Sequence, residues 1–210
     1  MNAPLNFASA HPNDDSGELE RAELYGLLAR LWLAPPDAAL LQQFAVAVTQ
    51  APEPGGLLEA PWADLVSALR ATTAETAAAE HAGLFHGVGK PEVFVYGSYY
   101  LSGSLNEKPL ATLRTDLQRL GLARDPDAME TEDHVAYVFE VMRYLIAGDD
   151  LAVCNLEQQR RFFRAHVQPW VDALCDAVET QPRAAIWGRV AALTRCFVQV
   201  ETQAFDMLEA

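Results

Sequence analysis

The sequence predicts an all-α protein, and three observations lead there. Apolar residues recur three and four positions apart along most of the chain, as one face of a helix requires. Nowhere does apolar–polar alternation run between hairpin turn signals, so no sheet is predicted. Half of the 210 residues are hydrophobic and 21% are charged, enough apolar material for a packed core and unlike a disordered chain. The expectation is one helical domain of about nine to ten helices with an internal hinge.

Residues 1–15 contain Pro4, Pro12 and the run Asn13-Asp14-Asp15, and read as a disordered tail ahead of the helical domain, 16–210. Leu24, Leu27, Leu28 and Leu31 share a helical face, and Pro35-Pro36 stops that helix. Asp37 can cap a second helix reaching about Val48, which the Pro52–Gly56 cluster ends. From Trp62 to Phe85 alanine and leucine dominate, as in one long helix or two short ones. His86 to Pro91 reads as a loop and leads into an aromatic loop with Phe94, Tyr96, Tyr99 and Tyr100. Pro109 opens, and Gly121 closes, a helix carrying Leu110, Leu113, Leu117 and Leu120. Residues 121–131 are the hinge candidate, between an N-terminal part (16–120) and a C-terminal part (132–210). Beyond it Val135, Val138, Phe139, Met142, Leu145 and Ile146 form an apolar stripe. Helices over 155–167 and 170–179 follow, and the last runs from about Arg183 to Leu208.

Fifteen Lys and Arg against 29 Asp and Glu give a net charge of −14. A nucleic-acid binder needs a basic footprint, so that class is set aside and a basic partner is expected. The first basic residue is Arg21, so no signal peptide is read, and no apolar run approaches the ~18 residues of a membrane span. Stable membrane insertion is therefore not expected. Cys154, Cys175 and Cys196 stand 21 residues apart without a CxxC pair. They read as small buried hydrophobes in a reducing compartment, which points to the cytoplasm.

The catalytic patterns fail one by one. None of the five histidines, His11, His81, His86, His134 and His166, belongs to an HExxH motif or follows a Glu by three positions. Glu130 and His134 stand four apart, but two ligands do not make a metal site. Gly83 to Lys90 has a superficial likeness to a phosphate loop. Its first glycine is one residue too far from Gly89-Lys90, and Pro91 occupies the place of the magnesium-binding hydroxyl. No catalytic residue, bound cofactor or metal is expected.

Two regions look chosen for binding. Between Asp125 and Asp150 there are eight acidic residues and one basic residue, Arg143, and five of the acids fall between Asp125 and Asp133. Carboxylates before a helix cap its free N–H groups; they also form an acidic rim that attracts a cationic peptide. The aromatic cluster either packs over a neighbouring helix or, beside Leu84-Phe85, lines an apolar groove. His134 is read either as a histidine bonded at a helix start or as a polar anchor for a bound segment.

Tyr96-Gly97-Ser98-Tyr99-Tyr100 resembles the Tyr/Trp-x-Ser-x-Tyr/Trp motif of the TorD/DmsD/NarJ-type chaperones. Glu130-Thr131-Glu132-Asp133-His134 is similar to that family's Glu-Pro-x-Asp-His hinge motif, and about thirty residues separate the two. Glu18 to Ala22 and the Phe163-x-x-His166-x-x-Pro169-Trp170 segment also fit. The resemblance covers nearly the whole chain after residue 17 and implies a TorD-like all-helical fold. It implies a cytoplasmic chaperone that binds the twin-arginine leader or apo form of a molybdopterin oxidoreductase catalytic subunit, aiding cofactor insertion and proofreading before export or assembly. Carried over by position, Asp133 and His134 match residues implicated in leader binding, Leu84 and Phe85 an apolar pair in the same role, and Tyr96 and Tyr100 aromatic positions near it. Ser98 of the first motif, with Glu130 and Glu132, whose carboxylates can engage arginine beside Asp133, completes the expected peptide-binding set. Thr131 stands where the motif has proline, and His81 where some leader binders have tryptophan. Residues 104–110 are similar to members associated with formate dehydrogenases, which makes that enzyme a candidate client. The expected state is a monomer or a domain-swapped dimer exchanging helices beyond the hinge. The competing expectations are a guanine-nucleotide-binding or hydrolysing enzyme and a non-catalytic structural scaffold.

Overall fold

The computed structural model describes residues 15–46, 55–87 and 89–208. The expected tail, the end of the second helix and Val88 of the glycine-containing loop lie outside the described residues. Ten α-helices occur in chain order: α1 Asp15–Leu33, α2 Ala38–Val46, α3 Glu59–Ala71, α4 Ala74–Phe85, α5 Gly97–Ser102, α6 Lys108–Arg119, α7 Val135–Ala147, α8 Leu156–His166, α9 Val171–Glu179 and α10 Trp187–Met207. Among the described residues there is no β-strand, only an isolated antiparallel bridge between Tyr96 and His134. The all-α expectation holds.

Several helix starts use side chains next to them in sequence. Asp37 accepts from the Leu40 N–H at 2.7 Å, Thr73 from Thr76 at 3.2 Å, and Asn155 from Gln158 at 3.1 Å. Thr72 and Thr73 are extended and split the alanine-rich stretch into two helices, α3 and α4. Pro109 sits in the first turn of α6, and Gly121 follows that helix in the left-handed region, φ +71°.

Two elements differ from expectation. The last helix begins at Trp187 rather than near Arg183, because the Glu80 carboxylate of α4 accepts from the Ile186 and Trp187 N–H groups at 2.8 and 2.9 Å. The aromatic segment is not wholly loop either: residues 97–102 form α5, six residues that would be marginal alone.

The described chain divides into two compact units. The first comprises residues 34–93 and 175 onward, with α2, α3, α4, α10 and the end of α9. In it α3 packs on α2 and α10, Phe44 meets Trp62 with ring centroids 6.2 Å apart, and Arg70 donates to the Phe44 carbonyl at 2.8 Å. The second comprises residues 17–33 and 94–174, with nearly all of α1, then α5 to α8 and the start of α9. Here the stripe of α7 is buried, α7 packs on α8, and Tyr25 of α1 meets Phe139 edge-on at 5.6 Å. Residues 121–131 lie wholly within this second unit.

Candidate functional site

The two motifs meet inside the second unit. Extended residues before α5 run beside those before α7, with the Val135 N–H donating to the Val95 carbonyl and the Gly97 N–H to the Asp133 carbonyl, both at 2.9 Å. The Asp133 side chain completes the crossing. One carboxylate oxygen accepts from the Ser98 N–H at 2.9 Å, the other from the Thr131 hydroxyl at 2.6 Å. Asp133 is 3% exposed and therefore spends its charge inside the protein, at the N-terminus of α5. Thr131, where the family motif has proline, thus supplies a hydroxyl to the neighbouring carboxylate.

His134 is also buried. Its Nδ1 accepts from the Ala136 N–H at 3.1 Å, capping α7, and its ring meets Tyr96 edge-on at 5.3 Å. The Tyr96 hydroxyl donates to Glu130. Burial pushes this phenol above its ordinary range, and the Glu130 carboxylate adds to the shift. Ser98 is buried and accepts on its hydroxyl from the Asn106 N–H at 3.3 Å. Tyr100 donates to the Phe94 carbonyl at 2.7 Å and stacks on Trp170 at 5.8 Å. At Gly97 any Cβ would stand 3.1 Å from the Trp170 ring, so glycine permits this approach.

Glu132 turns away from this cluster. Arg114 grips it through two parallel hydrogen bonds of 3.0 and 2.9 Å, and Arg124 lies 3.9 Å away. Burial alone would raise the Glu132 carboxyl, but the Arg114 contact outweighs it and holds the group below its ordinary value. Leu84 and Phe85 belong to the first unit. Leu84 is fully buried, with its carbonyl accepting from the Val93 N–H at 3.0 Å, and Phe85 is half-buried against His81 and Trp187, at 5.0 and 5.9 Å. The fold therefore gathers Tyr96, Ser98, Glu130, Asp133 and His134 into one cluster, sets Tyr100 on Trp170, and ties Glu132 to Arg114.

Next to that cluster, still in the second unit, lies an open depression of about 560 Å³. The segment 122–128 forms one wall, the outward face of α7 (Tyr137, Glu140, Val141, Tyr144) the other, and Leu117 of α6 lies at its base. Glu132 is the one sequence-derived site residue that lines it. The acidic run marked Asp125 and Asp127, but the face of α7 was missed because its apolar periodicity advertises only the buried side. Among the described residues no group of three or more His, Cys, Asp or Glu side chains could hold a metal ion, and no helix is long and apolar enough to cross a membrane.

A family model described as nitrate reductase delta subunit matches residues 53–176, more than half of the chain and both motifs. No curated protein matches the sequence. The chain belongs to the nitrate reductase delta subunit family, the NarJ-type, TorD-like maturation chaperones of molybdoenzymes.

Proposed function

We propose that this protein holds the leader or the apo form of a molybdopterin oxidoreductase catalytic subunit in the cytoplasm, keeping it competent for cofactor insertion until export or assembly. The observation that supports this most directly is the joining of the two motifs: Ser98 and Asp133, 35 residues apart, share a buried hydrogen bond. A recognition motif built this way acts through placement. Asp133 and His134 hold the chain at the start of α7, so that Glu130, Glu132 and the acidic segment before them stand at a fixed edge of the second unit. A client segment bearing arginines and apolar residues finds charge complementarity there, with the half-buried Tyr96 and Tyr100 of the same unit as apolar partners. Micromolar affinity, about −8.2 kcal/mol, needs only a few such contacts and permits release.

The test is co-purification with a nitrate reductase and a formate dehydrogenase catalytic subunit, each produced without molybdenum cofactor. At least one apo subunit is expected to be retained and then released when cofactor is supplied. Retention of neither, or equal retention of cofactor-loaded and apo forms, would refute the reading. Repeating it with the client's N-terminal segment deleted separates leader binding from binding of the apoenzyme body.

A further inference from the structure

The protein carries a net charge of −14, yet it is locally positive where α6 and α8 of the second unit come together. These two helices hold six of the fifteen basic residues and two acidic ones, Asp116 and Glu157, a net charge of +4. A cleft of about 80 Å³ opens between them, with Asp116 and Arg119 on one side, Gln158, Arg161 and His166 on the other, and the apolar Phe162 beside them. Asp116 organises it. The His166 Nε2–H donates to one carboxylate oxygen at 2.9 Å, and Arg119 and Arg161 stand around the other at 2.7 and 3.7 Å. The Asp116 side chain is 18% exposed, whereas those of Arg119 and Arg161 are 61% and 57% exposed, so an anion arriving from water meets N–H groups first. Each guanidinium carries five donors in a rigid fork. Asp116 takes one hydrogen bond from Arg119 and, at 3.7 Å, none from Arg161.

We infer that this cleft binds a phosphate group, free or as the monoester of a small molecule, between the Arg119 and Arg161 guanidinium groups, with the Gln158 amide as a further donor. Two cations against one carboxylate leave the cleft positive, and a phosphate dianion supplies the charge that the pair lacks. A tetrahedral anion can turn separate oxygens towards forks arriving from two helices, while a planar carboxylate is satisfied by one fork. The volume is far below the roughly 300 Å³ of a site that encloses a whole small molecule. The phosphate alone is held, and whatever carries it stays in solvent, so nothing in the cleft selects a guanine base. Asp116, fixed by the buried His166, holds the guanidinium groups in place before the anion arrives and lowers the ordering cost of binding it. The inference does not rest on the chaperone reading.

NMR titration of the isotope-labelled full-length protein with inorganic phosphate, and separately with glycerol 3-phosphate, tests this at constant ionic strength. The Nε–Hε signals of Arg119 and Arg161 are expected to shift to saturation, and chloride to leave them unmoved. Binding of both phosphates makes a phosphorylated small molecule the ligand class, and binding of inorganic phosphate alone makes it the free anion; either supports the site. Arg119→Gln with Arg161→Gln, read through the Gln158 side-chain amide, is expected to weaken binding at least about tenfold. Arg183→Gln with Arg189→Gln, an equal loss of charge from exposed residues of the first unit, should leave affinity within about twofold. All four substituted side chains are exposed, so both variants are expected to fold. Shifts that grow without saturating, or equal weakening in the two double variants, overturn the site. Saturation by a short glutamate peptide in place of phosphate overturns it as well and assigns the arginine pair to an acidic protein segment.

Discussion

The crossing at Asp133 and the depression beside α7 are built from one stretch of chain and share its carboxylates, yet water reaches them very differently. At the crossing Asp133 is 3% exposed, and both its oxygens accept hydrogen bonds from the protein. At the depression Asp127, six positions earlier, is exposed and has no cationic partner among the described residues. A carboxylate withdrawn from water must be bonded internally and thereby becomes part of the architecture; one left in water keeps its charge available for a partner. The family-like motif residues belong mainly to the first kind, and the groove owes its net charge to the second.

The comparison breaks most readily at Asp133. Asp133→Ala leaves the buried Ser98 N–H and Thr131 hydroxyl without their acceptor, and is expected to cost about 2–4 kcal/mol in urea unfolding, with Asp133→Asn costing less. A midpoint unchanged by alanine would remove the crossing from the architecture. Gly97→Ala pushes a methyl to 3.1 Å from the Trp170 ring and should cost about 1–2 kcal/mol, read as a lower melting temperature. His134→Ala removes the cap of α7, a loss of about 1 kcal/mol that His134→Asn should largely restore.

Asp125→Asn with Asp127→Asn sharpens the contrast from the other side. Stability should stay within about 0.5 kcal/mol, because neither side chain is buried or ion-paired. A clear loss in the same urea titration would mean that the groove carboxylates are architectural as well.

The smallest effect is expected from pH. Burial holds the His166 imidazole below its ordinary 6.5, partly offset by the Asp116 carboxylate at 2.9 Å. Below about pH 6.5 the unfolded chain therefore binds more protons at this position than the folded one. The stabilisation is complete above that pH and is lost as pH falls through the folded value. Burial would raise Asp116, but His166 and Arg119 outweigh it and hold it low, which extends the loss further into acid. Melting temperatures between pH 8 and 5.5 should fall with pH, and His166→Gln should flatten the slope near 6. A slope unchanged by that substitution would assign the effect elsewhere.

Local signals were readable wherever the responsible residues are neighbours in sequence. Asp37 caps α2 as its position suggests, Pro109 and Gly121 bound α6, and the stripe from Val135 to Leu145 is buried as its spacing requires. The two motifs also identified the family. What could not be read depends on partners far along the chain. Helix α5 draws on a carboxylate 35 positions away, and the start of α10 on Glu80, 106 positions before Ile186. Glu132 reads in sequence as one acid of the run from Asp125 to Asp133, and its tie to Arg114, 18 positions earlier on α6, carries no local mark.

By itself, then, the amino-acid order determined the helical class, most helix ends and the family, because periodicity, proline, glycine and capping act over a few residues. Only the tertiary structure decided which of the carboxylates between Asp125 and Asp133 are bonded inside and which face water. Burial and counter-charge depend on what folding brings alongside each residue, and near-identical acids in one short run carry no mark of that.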